Sequence, residues 1–162
     1  MKLPDSLFGT RRRCMLAMIG WLTFSTVLSA AEIKVAAYNL KNYFVTAGPR
    51  GIKSEVELAA VTAMLQEADA DILALCEVGG AEALADLAER LKRGGLEYPV
   101  QRFMNGADPV IGLGLLARLA PSEFVARTGL GYSIRPKRRY LPSETVPVQR
   151  GFLYARFEVD GY

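Results

Sequence analysis

Two short apolar runs, residues 33–39 and 70–78, mark the hydrophobic pattern of this 162-residue chain. Each has a polar side chain at or next to its end, Asn39 in the first run and Glu77 in the second. Apolar runs of this length between turn signals predict buried β-strands. When two parallel strands are joined through a helix, the crossover is almost always right-handed. We therefore expect Asn39 and Glu77 to emerge at the same edge of one sheet.

The segment between the two runs predicts one helix, and the segment after the second run predicts another. Ser54 and Glu57 have the spacing of a capping box, so the first helix is expected to begin at Ser54, after a loop at residues 41–53. Residues 81–93 repeat leucine at helical spacing, and Gly94 after them is typical of a helix end.

The C-terminal part of the chain predicts shorter, antiparallel strands. Residues 98–103, 112–118 and 123–128 are candidate strands, and residues 148–159 alternate over a longer stretch. Residues 130–147 contain three prolines and predict an irregular loop. The pattern as a whole predicts an α+β fold.

The formal net charge of +3 comes from the N-terminal segment. Residues 1–31 hold four basic residues and one acidic residue, so the remaining sequence carries equal numbers of each. Arginines at 11–13, an apolar stretch at 14–28 and small residues at 29–31 are typical of a secretory signal. We expect cleavage after this signal, export to the periplasm or the extracellular space, and no stable membrane association afterwards. An uncleaved membrane anchor is the alternative, although a spanning helix needs ~20 apolar residues.

The chain has no histidine and two cysteines, of which Cys14 lies in the predicted signal. Cys76 is interpreted as a small buried hydrophobic residue of its strand. Without histidine, this sequence cannot supply Ser–His or Cys–His catalysis or a zinc site built on histidine. The basic cluster at 135–139 is interpreted as a solvated loop, with contact to nucleic acid as the alternative. Arg118 is interpreted as a structural or solvated charge.

Four motifs, in the correct order, resemble the endonuclease/exonuclease/phosphatase superfamily, which has the deoxyribonuclease I-like fold. The first motif ends shortly after Asn39 and the second contains Glu77, with Cys76 where the superfamily usually has glutamine. The third is similar to a glycine-aliphatic strand, and in the fourth an arginine precedes an apolar strand. The four motifs are residues 35–40, 71–78, 112–118 and 149–155.

This resemblance implies the N-terminal half of a four-layer αββα sandwich, with a mixed sheet and two helices on one face. It also implies metal-dependent hydrolysis of a phosphate ester, with nucleic acid among the candidate substrates and Mg²⁺ or Mn²⁺ as the cofactor. By position, Glu77 and Asn39 are metal ligands, and Asn39 and Arg150 have catalytic roles, Arg150 as a phosphate contact. Magnesium prefers oxygen ligands and keeps several waters, so one or two carboxylates suffice to hold it.

The superfamily continues with a histidine-bearing strand, a Gly-Asp-x-Asn motif and an Asp-His pair, none of which occurs in this sequence. Residues 32–162 are therefore interpreted as the N-terminal part of the domain, with the C-terminal part absent and weak or no activity alone. Asp160 and Gly161 predict a hairpin turn without its second strand, which leaves strand 148–159 unpaired and able to pair with another chain. The alternative function is a non-enzymatic half-domain that binds or pairs with a partner.

Overall fold

The computed structural model describes residues 32–48, 51–134 and 144–159, which form eight strands and two helices. In chain order these elements are β1 (Val35–Tyr43), α1 (Glu55–Ala68), β2 (Ile72–Val78), α2 (Ala81–Arg93), β3 (Val100–Met104), β4 (Gly112–Ala117), β5 (Glu123–Arg127), β6 (Gly131–Ile134), β7 (Glu144–Pro147) and β8 (Phe152–Arg156). One mixed sheet has the order β1-β2-β4-β3, with β1 and β2 parallel and the other pairs antiparallel. Two further antiparallel pairs are β5–β8 and β6–β7.

The predicted crossover of β1, α1 and β2 is confirmed. Val35 lies opposite Ile72 in the parallel register. The capping box is present at the start of α1, where Ser54 Oγ accepts a hydrogen bond from Glu57 N at 3.3 Å and Ser54 N donates one to Glu57 Oε2 at 2.9 Å. These reciprocal bonds satisfy backbone N–H groups that the first turn of a helix leaves without partners.

Both helices pack on one face of the four-stranded sheet. Buried leucines of α1 and α2 form one cluster with alternate residues of the central strands, including Leu73 and Leu116. Successive strand residues point to opposite faces, so Ile72 and Leu115 lie on the other face, where they pack with Phe124 and other residues of the β5–β8 sheet. The described residues therefore pack in layers: the two helices lie on one face of the mixed sheet, and the β5–β8 sheet lies on the other face.

The prediction of an irregular loop at 130–147 is wrong for the described part of that range, and residues 135–143 lie outside the described residues. The structure pairs β6 with β7 as a hairpin, with Gly131 opposite Pro147 and Ile134 opposite Glu144. Nearly every residue of both strands is exposed, so the sequence lacks the alternation of buried and exposed positions by which a strand is detected. Pro147 was counted as a sign of a loop, but a proline at the end of an edge strand is compatible with pairing.

The prediction of one long, unpaired strand at 148–159 is also wrong. β8 covers only Phe152–Arg156 and pairs with β5, with Tyr154 opposite Val125. The chain turns immediately before β8 at Gly151, whose φ is +69°. A count of alternating side chains does not register such a turn. Pairing of this segment with another chain stays a prediction.

The predicted signal at residues 1–31, the basic cluster at 135–139, and the predicted turn at Asp160 and Gly161 lie outside the described residues. Within the described part of the chain, neither helix has the length and apolar character that crossing a membrane requires.

Arg118 links the elements at the edge of the sheet where β1 and β2 begin and β4 ends. Its guanidinium donates hydrogen bonds to Asp69 and, at 2.9 Å, to Asp71 Oδ1. It also lies over the ring of Tyr98, 5.6 Å from the centroid. Asp71 accepts a further bond from the backbone N–H of Lys34 at 2.9 Å. These contacts confirm that Arg118 is structural.

We expect acid to lower the stability that the Asp69 and Asp71 carboxylates provide at this edge, and Arg118→Gln to reduce that acid sensitivity. The hydrogen bond from Arg118 lowers the pKa of Asp69, and the N–H of Lys34, together with Arg118, lowers the pKa of Asp71. A carboxylate with a lowered folded-state pKa stabilises the fold above its unfolded pKa of about 3.9, and this contribution is lost as the pH falls through the folded value. The variant should therefore have a lower urea midpoint than the wild type at neutral pH, and a smaller further decrease below about pH 4.

Urea unfolding at neutral and acid pH measures both effects. Arg127→Gln is the matched control because it removes an exposed guanidinium from β5. It should leave the acid profile as in the wild type. An equally steep acid decrease in Arg118→Gln would contradict the role of these two carboxylates.

Candidate metal and phosphate site

The candidate metal ligands lie at the opposite edge of the four-stranded sheet. β1, β2 and β3 end at this edge and β4 begins there, because β4 runs against the other three strands. Asn39 lies opposite Cys76, and Val78 lies opposite Gly112. Glu77 therefore comes at the end of a strand that has neighbours on both sides.

Asn39 and Glu77 are in direct contact, so the prediction that they meet at one edge is confirmed. Asn39 Nδ2 donates a hydrogen bond to Glu77 Oε1 at 3.1 Å. The second carboxylate oxygen, Oε2, accepts a bond from the backbone N–H of Asn42 at 3.2 Å. Asn39 Oδ1 accepts one from the backbone N–H of Lys41 at 2.9 Å. Both side chains are thus oriented by the end of β1.

A β-bulge produces this geometry. Between the pairs Asn39–Cys76 and Tyr43–Val78, β1 contains three residues and β2 contains only Glu77. A bulge of this kind bends the strand and re-aims side chains.

Three residues of the bulge other than glycine have positive φ angles, which asparagine adopts more readily than lysine or glutamate does. The values are +50° at Lys41, +57° at Asn42 and +60° at Glu77. Side chains with a Cβ are strained in this region, which glycine occupies freely. Such strain persists only where the surrounding structure over-determines the backbone, and it is concentrated at functional sites.

A polar network that runs from a buried tyrosine to an exposed glutamate connects the end of β1 to both helices. Tyr43 is completely buried, and its hydroxyl donates a hydrogen bond to Asp86 Oδ2 at 3.1 Å. Burial, together with the nearby Asp86, raises the pKa of Tyr43 well above its usual range. Arg90 Nε donates a hydrogen bond to Asp86 Oδ2 at 2.7 Å, and Arg90 Nη1 donates one to Glu55 Oε2 at 2.9 Å. Arg90 of α2 therefore links Asp86 of α2 to Glu55 of α1. The sequence offered only the four-residue spacing of Asp86 and Arg90 as a signal of this network.

Arg150 has no hydrogen bond to Asn39 or Glu77 among the described residues. Its Nη1 donates to Asp108 Oδ2 at 2.5 Å. Asp108 lies in the connection between β3 and β4, and both ends of that connection are at the same edge as Glu77. The structure thus brings Arg150 to this edge of the sheet through a partner, Asp108, that sequence reasoning missed.

Cys76 is exposed, which corrects the prediction of a buried side chain. It lies on the face of the sheet opposite the helices. The β5–β8 sheet covers that face at Leu115 and Ala117 but leaves Val35 and Ala74 near β1 exposed. The apolar character of the β2 sequence therefore overstated how much of the strand is covered.

The donor groups at this edge suit a hard cation that keeps part of its water shell. Glu77 offers a carboxylate, whereas Asn39 Oδ1 is turned towards the N–H of Lys41. In the described residues, no three His, Cys, Asp or Glu side chains lie close enough together to enclose a metal ion. Magnesium is bound in proteins through one or two carboxylates, waters and substrate phosphates. The residues present fit that mode, with Glu77 as the ligand and Asn39 as the group that orients it.

Comparisons with known proteins do not assign the chain to a family. Neither a scan against protein-family models nor a search of curated proteins finds a match to it. The superfamily resemblance therefore stays a prediction that rests on the four motifs.

Proposed function

We propose that this chain carries part of the active site of a metal-dependent phosphoesterase, with Mg²⁺ or Mn²⁺ as the cofactor. The observation that carries this proposal is the 3.1 Å hydrogen bond between Asn39 and Glu77 at the edge of the sheet. Strained backbone in both strands fixes that pair. Glu77 is half-buried, and a carboxylate held by backbone of this kind supports a functional role over that of a solvated strand end.

The fold supports the same proposal. A mixed sheet with two helices on one face and a second sheet on the other is compatible with half of an αββα sandwich. We propose that the chain belongs to the endonuclease/exonuclease/phosphatase superfamily. On that basis the substrate is a phosphate ester, with nucleic acid as one candidate class.

Each residue has a defined part in this proposal. Glu77 binds the cation, and Asn39 holds the carboxylate through its amide without adding a competing charge. When bound, the cation offsets charge that develops on the phosphoryl oxygens and on the leaving group. Arg150 presents a planar guanidinium, which matches the geometry of phosphate oxygens. These three residues bind and orient the cation and the phosphate group, and none of them transfers a proton.

Binding of Mn²⁺ to the full chain, followed by the electron paramagnetic resonance signal of the free ion, tests this function. We expect the wild type to bind Mn²⁺ and Glu77→Gln to weaken binding by about tenfold or more, because the change removes the ligand charge. Glu82→Gln is the matched control, since Glu82 lies in the first turn of α2, close in sequence to Glu77. No binding by the wild type, or equal affinity in Glu77→Gln, would refute the proposal.

A further inference from the structure

The connection from β3 to β4, residues 105–111, is fastened to the segment that carries Arg150. The backbone N–H of Asp108 donates to the carbonyl oxygen of Gln149 at 3.0 Å. A Cβ added at Gly106 would lie 2.3 Å from Gln149 O and 2.7 Å from Arg150 Cα. Real Cβ atoms do not approach backbone this closely, so only glycine allows the two segments to touch. The backbone on both sides of the Asp108–Arg150 pair is thereby fixed.

The side chains of this pair are held as firmly. Asp108 is 11% exposed, and its Oδ1 accepts a bond from the N–H of Val110 at 2.8 Å while its Oδ2 accepts one from Arg150 at 2.5 Å. These bonds from Val110 and Arg150 lower the pKa of Asp108, so the carboxylate is charged at neutral pH. Asp108 therefore fixes one end of a long side chain that would otherwise sample many rotamers.

Arg150 is nevertheless accessible. Its side chain is 30% exposed, and within the described residues its hydrogen bond to Asp108 uses only Nη1. A guanidinium has several N–H donors arranged in one plane. The arginine is held from one side and reaches solvent on another, at the edge of the sheet that also carries Glu77.

We propose that Asp108 is a positioning residue that holds the Arg150 guanidinium ready for the phosphate group of the substrate. This inference rests on the proposed function, because it takes Arg150 as the phosphate contact. Pre-orientation lowers the entropy that an arginine loses when it binds a ligand. The partly buried carboxylate also prevents Arg150 from folding back onto other surface groups.

The direction in which phosphate affinity changes when the Asp108 carboxylate is removed distinguishes a positioning role from simple charge repulsion. Removing a carboxylate near an anion site strengthens anion binding if charge alone matters, because Asp108 repels phosphate. Removing a positioning group weakens anion binding although the net charge becomes more positive. Asp108→Asn keeps the size of the side chain and removes its charge, so it distinguishes the two.

The experiment is a titration of the full chain with inorganic phosphate at fixed Mg²⁺, followed by nuclear magnetic resonance. We expect phosphate affinity to fall by about fivefold to tenfold in Asp108→Asn and by a similar factor in Arg150→Gln, with little further loss in the double variant. Glu82→Gln, which removes one negative charge from the first turn of α2, should bind phosphate as the wild type does or slightly better. Mn²⁺ affinity should be unchanged in Asp108→Asn.

Unchanged or tighter phosphate binding by Asp108→Asn would overturn the positioning role, even where Mn²⁺ binding still depends on Glu77. Loss of that dependence refutes the proposed function instead, so the two failures are distinguishable. If Asp108→Asn does not fold, the wild type decides the question through the Nε–H resonance of Arg150, assigned by its disappearance in Arg150→Lys. Phosphate must shift that resonance, and an unshifted resonance or absence of phosphate binding would overturn the inference.

Discussion

Leu116→Ala is expected to lower the free energy of unfolding by about 3 kcal/mol, within the usual range for truncation of a buried leucine. Leu116 is completely buried in β4 and lies opposite Leu73 of β2 and Gln101 of β3. Its side chain belongs to the cluster shared by both helices and the sheet. The truncation leaves a cavity between two layers that the surrounding backbone cannot close.

Urea unfolding at neutral pH measures this loss, with circular dichroism to confirm that the folded baseline is unchanged. Leu119→Ala is the control, because Leu119 lies two residues after β4 and is 37% exposed. That change should cost no more than about 0.5 kcal/mol. Similar losses in the two variants would mean that the cluster is not the main core. Single domains are stable by only about 5–15 kcal/mol, so the loss expected for Leu116→Ala is a large fraction of the total.

Gly112→Ala is expected to lower the free energy of unfolding by about 2 kcal/mol, as overpacking of a close backbone contact does. A Cβ at this position would lie 2.1 Å from the carbonyl oxygen of Met104. That oxygen belongs to the end of β3 and cannot move as a flexible side chain would. The β3–β4 pair must therefore open at its end, next to the connection that carries Asp108.

Gly131→Ala is the matched control, because both glycines stand at the first position of a strand. At Gly131 the nearest atom to an added Cβ is Thr145 Cγ2 at 3.0 Å, in the exposed β6–β7 hairpin. This side chain can rotate away, so we expect a change within about 0.5 kcal/mol. Thermal unfolding of both variants gives the comparison. An equal effect at the two positions would show that Gly112 is not a site of close packing.

Regular spacing in the sequence was enough to predict the crossover and the helix boundaries. The capping box at Ser54 and the two apolar runs are local signals, and the parallel register then follows from chain connectivity. The meeting of Asn39 with Glu77 was predictable for the same reason. The bulge in the β1–β2 pair was not predictable, because the periodicity that reveals a strand carries no information on the φ angles of Lys41 and Glu77.

Other features depend on contacts between segments far apart in the chain. Asp108 and Arg150 are separated by 42 positions, and no spacing rule joins them. Cys76 was misjudged because the burial of a strand face depends on how far a second sheet extends over it. The β6–β7 hairpin was missed because its strands have no buried face.

The backbone is left-handed at both Asn42 and Glu77, but the two positions differ in what glycine would do there. Relief of strain conflicts with cation binding only at position 77. Glycine at residue 42 would relieve strain and still donate its N–H to the carboxylate. Glycine at residue 77 would relieve a similar strain but would remove the carboxylate itself. A library of variants selected for thermal resistance alone should therefore drift away from glutamate at 77, whereas selection for cation capture should retain it and accept glycine at 42.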